Sequence, residues 1–427
     1  MEVKMKKAGF FLLFCFFSSF LFSQEGTIPL QELINLALER NPKIKAAEKE
    51  VEAYAYRIPQ EKSLPDPMIG LSFKNMGFDK ITIGEEPMSG IGLSFSQTLP
   101  FPGKLRLKGE IAEKEYERKK AIFHSVELSV IKEVKVAYFE LFLVQKSIEV
   151  LIRQKALLEK ALSLTETKYA VGTGVQSEIL KAQVEISKIE EMLIPMNEMI
   201  KSIKARINLL LYFPPDKPLG IPKDMEVYGL EVSLEELQKL ASENSPLVKE
   251  ADLMIRESSK MIEMSKKEFY PDIKVEGGWD FKGHLRDMYE VMVGVEIPLY
   301  YKTKQAKRLE ESLALMESSR NTLATMKNDV SLMIVENYIK AKTSENLIKL
   351  YRKKIIPQAS LAVESSLANY QVNKIDFLAL LTDITTLFSY EMVYYKELSQ
   401  LWSSIAQIEE FSAKEIVRWG GKNEEKN

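Results

Sequence analysis

The fold is decided by residues 90–104, which read GIGLSFSQTLPFPGK. The first part of this stretch alternates the apolar residues Ile91, Leu93 and Phe95 with small or polar residues, which is the two-residue period of a strand with one apolar face. After a proline- and glycine-rich turn, the chain runs from residue 104 to residue 170 with no proline and a single glycine. A helix over 104–170 would be about 100 Å long, several times the length of a globular helix. The stretch therefore predicts a strand at 90–98 that leads directly into an unusually long helix.

Three further segments have the same period of two, and they predict strands at 68–76, 273–281 and 289–297. With the strand at 90–98 they make two hairpins. Each strand has about 9 residues, which is the length that a tilted strand needs to cross a bilayer. Alternation alone does not separate a lipid-facing hairpin from a soluble hairpin packed on helices, so both interpretations stay open at this point.

The chain contains an internal duplication. Leu30, Leu33, Leu36, Ala37, Pro42, Ile44 and Ala47 recur at one constant offset as Leu234, Leu237, Leu240, Ala241, Pro246, Val248 and Ala251. We therefore predict a first repeat at 24–213 and a second at 233–413, joined by a proline-rich linker at 214–232 and followed by a polar tail at 414–427. The second repeat has its own long helix at 303–370, and in each repeat a turn and a shorter helix follow.

The N-terminus has the layout of a secretory signal peptide, predicted at 1–23. Three lysines precede an apolar stretch, and Ser23 is a suitable small residue before the cleavage point. Cys15, the only cysteine, lies inside the apolar stretch after a bulky phenylalanine, so lipidation of the N-terminus is not expected. The mature chain would then lack a thiol for disulfides or thiolate metal sites.

Composition and chemistry-bearing residues give no sign of an enzyme or of nucleic-acid binding. The 59 Lys and Arg residues nearly balance the 61 Asp and Glu residues, so no basic field is available for a nucleic acid. His124 and His284 are the only histidines, and no phosphate-binding glycine loop or serine nucleophile motif occurs. Met192, Met196 and Met199 form a helical stripe that could offer thioethers to a soft metal ion, although methionine more often fills a helix interface. We therefore predict no catalytic residue, no cofactor and no metal site.

Four strands cannot close a membrane barrel alone. An open sheet edge in lipid would leave backbone groups unpaired, at several kcal/mol for each group. If these strands lie in a membrane, the barrel must therefore be shared between subunits, as about eight strands in a dimer or about twelve in a trimer. A conducting lumen favours the larger barrel.

Several motifs resemble the TolC-like outer-membrane efflux proteins. They are the opening Leu30–Leu33 with Asn41-Pro42, the Pro65-Asp66-Pro67 before the first strand, SQTLPFPGK at 96–104, and Tyr169-Ala170-Val171-Gly172 at the turn. With the duplicated layout, the similarity covers nearly the whole mature chain. It implies a trimeric α+β membrane protein in which an outer-membrane β-barrel, with four strands from each chain, is continued by a long periplasmic α-helical coiled-coil barrel.

The resemblance also implies a function and partners. The chain would form a homotrimer in outer-membrane lipid, extending into the periplasm, as the passive duct of a tripartite efflux system with a periplasmic adaptor (membrane fusion protein) and an inner-membrane RND or ABC pump. The PFPGK at 100–104 is most similar to the branch that works with heavy-metal RND efflux pumps, whereas the second repeat has PLYYK at 298–302 instead. The exported substrate stays open, because a passive duct takes its selectivity from its pump.

The same resemblance assigns an adaptor-docking tip to the two turns that follow the long helices. Its expected residues are Tyr169, Gly172, Gly174, Tyr370 and Asn373. Gly172 and Gly174 are expected to reverse the backbone with positive φ.

A periplasmic gate is expected at the start of the shorter helices. Asp376 resembles an acidic position that repeats around the threefold axis of the family's trimer, and three carboxylates brought close together attract cations. A second acidic position of the family is Ala379 here, so the ring would be weaker. Glu178, at the corresponding place in the first repeat, is expected to link helices.

Other classes of protein stay open. A periplasmic coiled-coil adaptor or a structural coiled-coil protein would also have long helices, and a type I protein-secretion duct would share the whole architecture. An adaptor, however, carries one helical hairpin per chain, and a structural coiled coil lacks amphipathic strands. The duplicated hairpins and paired strands therefore favour a channel.

Overall fold

The computed structural model describes residues 26–223 and 229–417. The predicted signal peptide with Cys15, residues 224–228 of the linker and residues 418–427 of the tail lie outside the described residues. The helices are α1 (Leu30–Arg40), α2 (Pro42–Lys62), α3 (Lys104–Ala170), α4 (Gln176–Leu210), α5 (Leu234–Asn244), α6 (Pro246–Lys267), α7 (Gln305–Leu350), α8 (Ile356–Gln371) and α9 (Phe377–Ser412). The strands are β1 (Thr27–Ile28), β2 (Met68–Lys74), β3 (Gly90–Leu99), β4 (Ile221–Pro222), β5 (Asp272–Phe281) and β6 (Met288–Glu296).

The four longer strands form one antiparallel sheet in the order β2-β3-β5-β6. Each half of the chain supplies one hairpin, and the two hairpins join through β3 and β5, where Leu93 lies opposite Trp279. The sheet does not close on itself, so β2 and β6 are edge strands, and their outer backbone groups have no strand partner among residues 26–223 and 229–417.

The two faces of the sheet differ sharply in polarity. On one face the register aligns apolar residues in rows across the strands, such as Leu71, Leu93, Trp279 and Tyr289. These side chains are exposed in the single chain, with 56% of Leu93 and 57% of Trp279 accessible. The rows of the other face hold small and charged residues, such as Gly70, Ser94, Gly278 and Glu290. An apolar face of this extent needs a cover, and the part of the chain that the structure describes does not supply one.

The strand bounds differ from the predicted ones by one or two residues. β2 ends at Lys74 instead of residue 76, because Asn75 has a φ of 46° and leaves the extended conformation. The ladder continues further than predicted at the other end of the sheet, where Leu99 pairs with Ile273 and Asp272 pairs with Glu296. β3 and β5 are therefore one residue longer than predicted, and β6 is shifted by one residue from 289–297.

α3 is helical without interruption over Lys104–Ala170. It packs against α2 and α4 of its own half and against α6 and α9 of the other half. A helix with neighbours on several sides needs apolar residues on several sides, and α3 accordingly buries Val130, Val134, Phe139 and Leu151 around its circumference.

The second long helix differs from the single helix predicted at 303–370. It begins at Gln305, after a turn in which Thr303 N and Lys304 N both donate to the Tyr300 carbonyl oxygen. A π-helical segment, Tyr351–Ile355, separates α7 from α8 just before Pro357. Pro357 has no N–H and its ring clashes with the carbonyl of the residue four positions earlier, whereas Ile356 N donates to the Tyr351 carbonyl oxygen five positions back. The wider turn thus accommodates the proline without ending the helical path.

Two apolar cores hold the helices together. In the larger one, Trp402 of α9 is fully buried and packs on Phe139 and Phe142 of α3, with ring centroids 5.6 and 5.1 Å away. The second core lies near the ends of the long helices that are remote from the sheet, and it includes Leu158, Ile189, Tyr370 and Phe377. This second core fixes the two turns relative to each other. No helix within the described ranges combines the length and apolar character needed to cross a membrane.

Candidate functional site

The first turn closes α3 through the carbonyl oxygen of Lys168, which accepts hydrogen bonds from Thr173 N (2.9 Å) and Gly174 N (3.0 Å). Gly172 has a φ of 77°, and no heavy atom lies within 4 Å of the place that a Cβ would take. Backbone conformation alone therefore favours glycine at 172. At Gly174 the expected positive φ is wrong: a Cβ there would lie 2.9 Å from Tyr169 N, so the close approach of the preceding backbone favours glycine.

The second turn uses Asn373 where the first uses Gly172. Asn373 has a φ of 56°, in the left-handed region that asparagine tolerates better than most residues, and Lys374 N donates to the Asn369 carbonyl oxygen at 2.9 Å. Asp376 then caps α9, because its Oδ1 accepts a hydrogen bond from Ala379 N at 2.8 Å. The Asp376 side chain is otherwise exposed, so its charge faces solvent in the single chain.

The two turns are joined by polar contacts between the halves of the chain. The Tyr370 hydroxyl donates to Glu178 Oε2 at 3.1 Å and lies 3.2 Å from Thr165 Oγ1. Lys168 Nζ donates to Asn373 Oδ1 at 2.6 Å and to the Tyr370 carbonyl oxygen. We call these five residues the tip contact. Glu178 therefore does link the beginning of α4 to the end of α8.

The electrostatics of the tip contact keep the tyrosine hydroxyl a donor. Burial, followed by the nearby Glu178 carboxylate, raises the pKa of Tyr370 above its usual value. The Lys168 ammonium lies 3.8 Å from the centroid of the Tyr370 ring, a cation–π contact on top of its two hydrogen bonds. The same lysine thus holds both the ring and the backbone of the second turn.

The duplicated tyrosines have unlike environments. Tyr169 is 49% exposed, whereas Tyr370 is only 2% exposed and packs against Phe377. The Tyr370 side chain therefore lies in the core of this chain and is not exposed to a docking partner, whereas the docking tip itself stays a prediction. Lys168 and Thr165 were missed from the sequence, where nothing except their closeness to Tyr169 marks them.

The polar face of the sheet carries a charged cluster near its far end. Lys74 Nζ lies 2.8 Å from Asp280 Oδ2 and 3.7 Å from Glu290 Oε1. A Cβ at Gly92 would come within 2.6 Å of Asp280 Oδ1. The absence of a side chain at Gly92 therefore makes space for the ion pair. Charged groups of this kind are costly to place in hydrocarbon, so this face is unsuited to contact with lipid.

The remaining candidate residues are dispersed. His124 Nδ1 lies 3.3 Å from Glu127 Oε2 on an exposed helix surface, and His284 lies in the β5–β6 connection. Met196 packs against both cores, whereas Met192 and Met199 are exposed. In the part of the chain that the structure describes, no group of three or more His, Cys, Asp or Glu side chains is placed to hold a metal ion.

A sheet with one exposed apolar face and one charged face, continued by long helical hairpins, is the architecture of outer-membrane channels. The fold is similar to that of the outer membrane protein VceC from Vibrio cholerae, with a TM-score of 0.77 and 16% identity over 91% of this chain and 97% of that chain. It is also similar to the CmeC outer membrane channel of Campylobacter jejuni (TM-score 0.71, 13% identity, 96% and 94% of the two chains). The open state of the MtrE outer membrane channel of Neisseria gonorrhoeae is a third example (TM-score 0.70, 17% identity, 92% and 91%). At these identities the likeness shows the fold, and the predicted fold class is confirmed.

The sequence also matches a family model over part of its length. Residues 33–210 match the sequence model of the family described as Outer membrane efflux protein. No curated protein sequence matches the chain significantly. The resemblance to the outer-membrane efflux proteins is therefore confirmed, and the match covers residues 33–210. The match and the shared fold place the protein in the outer membrane with its helices in the periplasm, as predicted.

Proposed function

We propose that this protein is the outer-membrane subunit of a tripartite efflux system, a passive trimeric duct that exports small molecules or metal ions from the periplasm or the pump to the exterior. The observation that carries the proposal is the four-stranded sheet. It has an exposed apolar face, a charged face and two unpaired edges, and it is continuous with helices of about 100 Å.

Lipid and water are the covers that fit the two faces of the sheet. Lipid suits the rows that contain Leu93 and Trp279, and a water-filled lumen suits the face that carries Lys74 and Asp280. The free edges β2 and β6 become paired when subunits close a ring, because β6 of one copy can join β2 of the next. Three copies give a barrel of about twelve strands, which is wide enough for a conducting lumen.

The tip formed by the first turn is the proposed docking surface for a periplasmic adaptor that connects the duct to an RND or ABC pump. Tyr169, Val171 and Val175 are exposed there, although apolar groups of this size are usually covered. Gly172 and Asn373 lie on the same surface. The duct performs no chemistry in this proposal: the pump supplies the energy and selects the substrate.

The gate is proposed at Asp376 and at the tip contact. Asp376 is exposed at the start of α9, where threefold symmetry would bring its copies together as an acidic ring. The tip contact, through Glu178 and Tyr370, holds the second hairpin against the first and so sets the position of that ring.

Membrane extraction and single-channel recording test this proposal together. We expect the native protein to be extracted from outer membranes as an oligomer that migrates as a trimer unless heated, and to conduct ions in a planar bilayer. A soluble monomer that gives no conductance would overturn the channel and would favour an adaptor or a structural coiled coil.

A further inference from the structure

A cavity of about 460 Å³ lies where the sheet passes into the helices. It is bordered by the ends of β3 and β6 and by the connection from Ile297 to Tyr300. The beginnings of α3 and α7 and the end of α6 complete its wall. The cavity is therefore next to both the exposed apolar face of the sheet and its polar face.

The charged groups around this cavity are only partly paired. Lys104 Nζ lies 2.7 Å from Asp272 Oδ1, and Arg308 Nη1 lies 3.1 Å from Glu268 Oε1. The side chains of Lys108, Lys304 and Glu296 also line the cavity, and none of them forms an ion pair or a hydrogen bond within residues 26–223 and 229–417. The wall of the cavity thus carries two exposed ammonium groups and one exposed carboxylate that have no partner within the described residues.

Gln305 supplies a second, independent sign of a ligand. It is the first residue of α7, lines the cavity and is 9% exposed, and its Oε1 is buried without a hydrogen-bond partner. A buried acceptor without a donor costs about 1–3 kcal/mol, so the position calls for an incoming N–H or O–H group. At the N-terminus of α7, Lys304 N and Ala306 N already donate to the carbonyl oxygens of Tyr300 and Tyr301. The N–H groups of Gln305 and Lys307 have no backbone acceptor within the described residues, and N–H groups at a helix N-terminus favour an anion.

We propose that this cavity binds a zwitterionic phosphate group, a phosphate joined to a short primary amine as in phosphoethanolamine. Lys108, Lys304 and the N-terminus of α7 bind the phosphate. The ammonium donates an N–H to Gln305 Oε1 and is balanced by Glu296. The negative phosphate thus faces Lys108 and Lys304, and the positive ammonium faces Glu296, whereas Lys104 and Arg308 are already paired with Asp272 and Glu268.

This chemistry has two sources. A phosphatidylethanolamine headgroup suits the position, because Ile297, Leu299 and Tyr300 line the same cavity, are exposed and extend the apolar face toward the helices. A free glycerophosphoethanolamine molecule reaching the cavity from the polar face has the same headgroup chemistry without acyl chains.

Native mass spectrometry of the detergent-purified oligomer tests the site through the number of lipids retained. Phosphatidylethanolamine should be retained more strongly than phosphatidylcholine, because the trimethylammonium of phosphatidylcholine has no N–H for Gln305. The double variant Lys108→Ala/Lys304→Ala should weaken retention about tenfold, the effect of losing a charge-assisted contact. Gln305→Met, which has nearly the same shape, should keep phosphate binding but lose the preference for phosphatidylethanolamine over phosphatidylcholine.

Lys307→Ala is the matched control, because Lys307 is on the same helix but pairs with Glu310 at 2.6 Å and does not line the cavity. Equal retention of the two lipids by the unaltered protein, or an equal loss in the Lys307→Ala control, would overturn the site. Competition by millimolar glycerophosphoethanolamine identifies a soluble ligand as the source, and its absence identifies the lipid. Conductance is not measured in this experiment, so its failure would leave the proposed channel untouched.

Discussion

Replacing Tyr370 by Phe removes one hydroxyl from the tip contact and leaves the ring in place. The ring keeps its edge contact with Phe377, 5.8 Å between centroids, so no cavity forms. What is lost is the donor to Glu178 Oε2 at 3.1 Å and the contact with Thr165 Oγ1 at 3.2 Å. A hydrogen bond to a charged acceptor contributes about 1.5–3 kcal/mol. At the lower value, the open fraction of the tip in each subunit rises about tenfold.

Amide hydrogen exchange measures this opening directly. Amides of residues 365–380 should exchange about tenfold faster in Tyr370→Phe than in the parent, because opening of the tip would expose them. The channel should also conduct more in planar bilayers. Tyr169→Phe is the matched control, since that tyrosine is half exposed at the same tip and its hydroxyl makes no hydrogen bond within the described residues. Equal exchange rates in the two variants would refute the reasoning that the tip contact restrains the second hairpin.

Three further changes test other parts of the proposal. Asp376→Asn should lower cation selectivity while leaving α9 intact, because asparagine caps the Ala379 N–H as well as aspartate does; an unchanged reversal potential in single-channel recordings would remove Asp376 from the gate. Val293→Lys should block insertion, because a charge in lipid costs about 2–4 kcal/mol, whereas Met292→Lys on the opposite face of the same strand should not. The measurement is the yield of outer-membrane trimers, and a loss of trimers in Met292→Lys alone would show that the lipid-facing side is assigned to the wrong face. Gly172→Trp should abolish export in resistance assays while trimers remain in the membrane; full resistance would show that the adaptor does not dock at this turn.

Most strands and helices could be predicted from local sequence patterns, because the features that define them are periodic. The alternation around Leu93 fixes a face of the sheet, and the absence of proline over 104–170 allows one uninterrupted helix. The candidate site was harder to predict from the sequence, because the burial and contacts of its side chains depend on packing between distant segments. Tyr169 and Tyr370 occupy matching places in the duplication, yet only packing against Phe377 and Glu178 decides that the second is buried.

The charge pairs at the cavity could not be predicted from the sequence either. Lys104 and Asp272 are 168 residues apart in sequence, and no pattern indicates that they neutralise each other. Only once that pair is known do Lys108 and Lys304 stand out as uncompensated. The π-helical segment before Pro357 was equally hidden, because Pro195 lies inside α4 without producing such a segment.

The ends of the two long helices differ in structure, and Lys168 of the first half binds the second half. The first turn exposes Tyr169 and Val171, whereas the tyrosine that precedes the second turn, Tyr370, is buried. The second turn also ends a helical path that is interrupted by the π-helical segment. In the proposed assembly, an adaptor docked at the first turn would act on the second hairpin through the tip contact. Lys168→Met keeps the length of the side chain but removes the hydrogen bonds to Asn373 Oδ1 and to the Tyr370 carbonyl oxygen.

We expect Lys168→Met to leave trimers and adaptor binding intact but to uncouple that binding from opening. Co-purification with the adaptor should be unchanged, while the adaptor should no longer alter the conductance of the channel. Lys181→Met is the control, because Lys181 is an exposed lysine on α4 that makes no ion pair within the described residues. If the adaptor still alters conductance in Lys168→Met as it does in this control, the signal does not pass through Lys168, and the two hairpins must respond to the adaptor independently.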